Sequence, residues 1–130
     1  MMTIKPDEAN RVLLIETRGM ISEGDIDEAF ADLENRYPQV SVRLRGGAGG
    51  PIGVFVDWQH LTGWERGAKT LGTITGKTLG DVVHKVAIVA DEKWRDEVPR
   101  IADMGKQSEV RFFLIENRDQ AWRWITGAKS

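Results

Sequence analysis

A chain of 130 residues, 41% hydrophobic and 29% charged, has the apolar content for one core and no second composition regime that would divide it. Its formal charge of -2 and pI of about 5.7 supply no basic footprint for a phosphate backbone, so nucleic acid is excluded as an expected partner. With no cysteine, disulfides, thiolate metal sites and a cysteine nucleophile are excluded together.

The short run Thr3 to Lys5 and the longer run Val12-Leu13-Leu14-Ile15-Glu16-Thr17 flank a turn-rich segment, Pro6 to Asn10, which predicts a hairpin of two antiparallel strands. Gly19 closes the second run. Ser22, with Asp25 three residues on, has the form of a capping box and predicts a helix start. Ile26, Phe30, Leu33 and Tyr37 then recur on one face, so this helix packs one side on a sheet, and Pro38 ends it. Glu23, Asp27, Glu28, Asp32 and Glu34 lie elsewhere on the helix and are spread rather than convergent, which suits a solvated surface better than a cation site.

The flexible segment Arg45-Gly46-Gly47-Ala48-Gly49-Gly50-Pro51 precedes the third predicted strand, Ile52-Gly53-Val54-Phe55-Val56-Asp57. Phosphate cradles sit between a strand and the next helix, whereas these glycines come before a strand, so a floppy connection is the better reading. Gly72-Thr73-Ile74-Thr75-Gly76-Lys77-Thr78 approaches a Walker A loop but holds one residue too few between its glycines and has no adjacent strand, which argues against nucleotide hydrolysis. Gly72, Gly76 and Gly80 are spaced by four among Leu71, Ile74, Leu79, Val82 and Val83. That pattern fits either a helix with one bare flank, offered to a second helix, a subunit or a ligand, or a helix broken at the glycines.

Val86-Ala87-Ile88-Val89-Ala90 is an apolar run short enough for a strand buried on both faces, and Asp91 after it suits a helix cap. Val110-Arg111-Phe112-Phe113-Leu114-Ile115 is a second such strand, followed by Asn117 and the helical pattern Ala121, Trp122, Ile125. The order β-β-α-β-α-β-α-β-α predicts an α/β layer fold, one domain over residues 1–130, on a mixed sheet of about five strands. Met1 to Glu8 lacks the apolar stretch of a signal peptide, and no apolar run approaches the roughly 18 residues of a membrane span, so a cytoplasmic protein without a span is expected.

Ligands in open α/β sheets gather beyond the carboxyl ends of strands, which collects Asp57, Trp58 and His60 after one strand and Asp91 and Trp94 after another, with Trp64 nearby. Aromatic walls with few polar groups suit an apolar or amphipathic ligand, although plain packing is the better account of Trp58, Trp64 and Trp94 taken singly. Trp122 and Trp124, two apart on one helix, cannot both face the core, so one of them should be exposed or in an interface. His60 has Asp57 nearby but no positioned nucleophile, and His84 reads as structural or surface, so no catalytic residue is assigned. No metal ligand set or cofactor is expected either.

The element order, the segment Val86 to Trp94, the strand Val110-Arg111-Phe112-Phe113 and the closing Ala121-Trp122-Arg123-Trp124-Ile125 together resemble the SpoIIAA-like family of small bacterial proteins with a STAS-type fold. The resemblance covers nearly the whole chain and implies a non-enzymatic α/β domain, related in fold to anti-sigma-factor antagonists and more distantly to CRAL-TRIO lipid-binding domains. The glycine loop Gly46 to Gly50 and the stretch Leu71 to Gly80 depart from that pattern. Where the phospho-switch version of the fold carries a serine, this chain reads Asp57-Trp58-Gln59-His60-Leu61-Thr62-Gly63; Thr62 is the only nearby hydroxyl, and a helix N-cap is the better reading of it than a regulatory phosphosite. Two functions follow: a binding module for a small amphipathic ligand in a Trp-lined pocket, or a protein-interaction module that docks a partner or a second copy through the Gly72, Gly76 and Gly80 flank.

Overall fold

The structure, a computed structural model, describes residues 1–7, 9–39, 52–64, 83–97 and 109–127. Strand β1, Met2–Asp7, pairs antiparallel with β2, Val12–Ile21, from Met2 opposite Thr17 to Asp7 opposite Val12. The hairpin is as expected, but β1 runs through Pro6. Proline is tolerated there because β1 is an edge strand. Asp7 closes the turn by accepting hydrogen bonds from the Asn10 backbone N–H at 3.2 Å and its side-chain amide at 3.0 Å. Gly19 does not end β2: it sits inside the strand at φ +69°, beside a shift in register, and the strand continues to Ile21.

Helix α1, Glu23–Arg36, starts at the capping box anticipated from Ser22 and Asp25. The Asp25 N–H donates to the Ser22 hydroxyl at 3.1 Å, and the Ser22 N–H donates to the Asp25 carboxylate at 2.9 Å, so two orphan donors of the first turn are satisfied reciprocally. Ile26, Ala29 and Leu33 are buried and Phe30 and Tyr37 pack beside them, the face predicted from spacing.

Strands β3, Ile52–Trp64, β4, Val83–Ala90, and β5, Glu109–Leu114, add in parallel, giving a five-stranded mixed sheet in the order β1-β2-β3-β4-β5. A six-residue 3-10 helix, Glu92–Glu97, follows β4 where a helix capped at Asp91 was expected; the Asp91 backbone carbonyl accepts the Trp94 N–H at 3.0 Å. A 3-10 turn, Ile115–Asn117, leads from β5 into helix α2, Arg118–Thr126. The glycine loop at 46–50, the helix predicted between β3 and β4, and Gly72, Gly76 and Gly80 lie outside the described residues.

Each strand's alternation divides the core between two faces. On the front face, α1 packs chiefly on β1, and its Ile26, Ala29 and Leu33 join one cluster with Ile4, Leu13, Ile15, Val54, Val56, Val86 and Ile88. On the rear face, α2 lies on β3, β4 and β5 over Val12, Phe55, Ala87 and Val89. A side chain on Gly53 would put its Cβ 2.8 Å from Ile125, so the glycine lets α2 sit directly on β3. Ala121 and Ile125 form the sheet-facing ridge of α2 and the two half-buried tryptophans straddle it, which corrects the expectation that both could not pack on the core. Residues two apart point about 200° apart around a helix, yet a broad sheet reaches both flanks. Trp122 meets Phe55 edge-on at 5.5 Å, and Trp124 lies 5.9 Å from Phe113 with Lys85 and Arg111 5.1 and 5.0 Å from its ring centre.

Candidate functional site

Strand β3 does not stop at Asp57, as its apolar run suggested, but continues through Trp64. Its pairing with β2 explains why the alternation was hard to read. Glu16 faces Asp57 and Arg18 faces His60, so β3 spends three steps where β2 spends two. A second irregularity, between Gly19 and Met20, adds another extra residue before Gly63. Bulges are rare in parallel pairing, concentrate near functional sites, and re-aim the side chains that follow. Here the first bulge puts both Trp58 and Leu61 into the front cluster, although an unbroken strand would send residues three apart to opposite faces.

Among the described residues, the only buried polar side chains are Thr17 and Asp57, and both serve this bulge. Thr17 sits opposite the extra residue, and its hydroxyl donates to the Asp57 carbonyl at 3.2 Å, a backbone group the irregular ladder disturbs. The Asp57 carboxylate works from the other side: Oδ1 accepts the Gln59 N–H at 2.8 Å, and Oδ2 is paired with the Arg118 guanidinium. Arg118 is the first residue of α2, and its guanidinium also lies 5.2 Å from the centre of the Phe55 ring. The pair is half in water on the arginine side, with side-chain exposures of 47% for Arg118 and 11% for Asp57. With both oxygens engaged, Asp57 is placed to hold backbone and helix rather than to move protons.

The residues collected from the sequence therefore divide between two faces. Asp57 points to the rear, toward α2. Trp58, its neighbour in the strand, points to the front, where it is 1% exposed and meets Trp94 edge-on with ring centres 6.0 Å apart. Trp94, on the 3-10 helix after β4, is half-buried at the margin of the front cluster. Its indole N–H is buried and has no acceptor among the described residues, while Lys93 Nζ lies 5.4 Å from its ring centre.

His60 is exposed within β3 opposite Arg18, and Asp91 is exposed just past β4. Trp64 ends β3, its backbone in register with Ile21. Thr62 is an exposed strand residue, which corrects its reading as a helix N-cap: the bulged strand simply outruns the position where a helix was expected. His84 lies within β4. Sequence reasoning missed Thr17, Gln59 and Arg118 as members of the site. The one available signal was a threonine and an aspartate placed in otherwise apolar strands, each needing a partner once buried.

No three His, Asp or Glu side chains converge as metal ligands among the described residues, and no described helix is long and apolar enough to cross a membrane. The model of the SpoIIAA-like family matches residues 12–126. Among solved structures, an uncharacterised protein of the DUF3478 family from Shewanella loihica PV-4, with a SpoIIAA-like fold, superposes at a TM-score of 0.68 and 21% identity, covering 96% of this chain and 92% of that one. Among curated proteins nothing matches. Identity at that level speaks to fold alone.

Proposed function

Since the chain belongs to the SpoIIAA-like family, whose fold serves as a binding or regulatory module, we propose that it binds without catalysis, taking a small apolar or amphipathic ligand beside Trp94. The observation that carries this reading is the Trp94 indole: an apolar ring set against Trp58, with a buried N–H that meets no acceptor among the described residues. A buried donor without a partner costs about 1–3 kcal/mol, and a ligand carbonyl, carboxylate or hydroxyl placed against Trp94 recovers that while its apolar part covers the ring. Trp58 is the closed back wall of this site, His60 and Asp91 are exposed on β3 and past the end of β4, and Asp57 faces the other side of the sheet.

Native mass spectrometry of the purified protein, followed by denaturation of the same sample, tests the reading first. Extra mass lost on denaturation supports it and identifies the ligand class. Dodecanoate is then titrated against tryptophan fluorescence. Trp94→Phe, which keeps a ring and deletes the donor, should weaken binding by about tenfold, the value of one hydrogen bond. Absence of bound mass together with identical titrations for the parent and Trp94→Ala would overturn the proposal, and a clean dimer in the same spectra would shift weight to a protein-interaction role.

A further inference from the structure

Asp57 has one carboxylate oxygen on the Gln59 N–H inside the bulge and the other on Arg118 at the start of α2. Trp58 stands between the two bulge anchors, with its side chain on the opposite face against Trp94. From this geometry we infer that Asp57 and Arg118 form a clasp through the sheet, so that the seating of α2 on the rear face sets the position of Trp58 and Trp94 on the front face. The clasp deepens the Trp94 reading by giving that site a control point on the other side of the molecule.

A bulge is a discrete arrangement, present or absent, so its loss cannot be partial. Without the extra residue, every side chain beyond it in β3 changes face, and Trp58 and Leu61 cannot both remain in the front cluster. Among the described residues, two buried polar side chains hold the bulge backbone, Thr17 on the Asp57 carbonyl and Asp57 on the Gln59 N–H. Arg118 fixes the orientation of the second holder, because the carboxylate can rotate away from Gln59 once its other oxygen is released. Arg118, on the rear face, is therefore a positioning residue that acts on the front-face tryptophans through Asp57. Coupling of this kind is reciprocal, so disturbance of Trp94 must also reach Gln59 and the first turn of α2.

The test needs no ligand, which keeps its failure distinct from failure of the binding proposal. Amide hydrogen exchange at Gln59 and the near-ultraviolet circular dichroism of the tryptophans are measured for the parent, Arg118→Ala, Asp57→Asn and Trp94→Ala. Ser22→Ala, which weakens α1 at a distance, controls for general loosening. Arg118→Ala should raise the Gln59 exchange rate roughly tenfold and change the tryptophan signal. Asp57→Asn, which has one acceptor oxygen for the two donors, should raise exchange at Gln59 as Arg118→Ala does. Trp94→Ala should raise exchange at Gln59 beyond the Ser22→Ala control. Parent-like exchange and tryptophan dichroism in folded Arg118→Ala would overturn the clasp, as would an increase no larger than that of the control. Bound ligand without these changes would leave the Trp94 site standing and remove only the coupling.

Discussion

Replacing Thr17 with valine keeps the shape of a side chain that is 1% exposed and deletes the hydroxyl that donates to the Asp57 carbonyl. A buried carbonyl in a disturbed ladder then lacks that donor, so Thr17→Val should destabilise the fold by about 1–2 kcal/mol, read as a lower urea midpoint with unchanged slope. A midpoint equal to the parent's would mean that water or another group already serves that carbonyl. Trp58→Ala belongs to another class, since it empties a buried indole site against Trp94 and should cost about 3–5 kcal/mol. At this scale the sequence was legible in residue type and not in direction. Asp57 and Trp58 looked like one site because both follow an apolar run, and only the continuation of β3 shows that neighbours in a strand must face opposite ways. Gln59 and Arg118 were illegible for a related reason: a bulge is a mismatch between two strands and leaves no mark in either strand alone.

Among the elements, α1 was readable almost to the residue because its start depends on a local motif. The Ser22 backbone N–H, and then its hydroxyl, hold the Asp25 carboxyl below its ordinary value of 3.8. A group whose folded pKa is depressed stabilises above its unfolded pKa and loses that contribution as the pH falls through the lower folded value. The stability gap between the parent and Asp25→Ala should therefore be full above about pH 5 and close below the ordinary 3.8, a trend that thermal melts at stepped pH values will register. Ser22→Ala should remove about 1 kcal/mol at neutral pH. The contact of α2 with β3 makes a different kind of prediction, because it depends on shape. Gly53→Ala places a methyl 2.8 Å from Ile125 and should cost about 1–3 kcal/mol, part of it restored by adding Ile125→Val. Simple additivity of the two changes would show that α2 does not rest on Gly53. The 3-10 helix after β4 was not legible, since Asp91 offered a plausible cap and only tertiary packing decides that the turn stays tight.

For the molecule as a whole, the apolar runs Val86 to Ala90 and Val110 to Ile115 placed β4 and β5, but only β4 is covered on both faces and apolar at nearly every position; β5 is an edge strand whose Glu109 and Arg111 are exposed. What those runs could not show is how unequally the two faces are closed. The front cluster spans β1 to β5 and includes Ile26, Ala29 and Leu33 of the fourteen-residue, capped α1. The rear cluster is smaller and lies under α2, which has nine residues and no side-chain hydrogen bond at its N-cap Asn117. A helix of that length does not persist alone in water, so α2 is ordered only while it is docked. Its docking rests on Ala121, Ile125, the flanking tryptophans and the Arg118 pair with Asp57. The two faces should then open with different free energies, the rear before the front. Native-state hydrogen exchange checks this directly: amides of Trp124 to Thr126 in α2 should exchange at least roughly tenfold faster than those of Leu33 to Arg36 in α1, with weak dependence on added urea because little surface is exposed. Equal protection and equal urea dependence in the two helices would mean that α2 leaves the sheet only when the sheet itself unfolds.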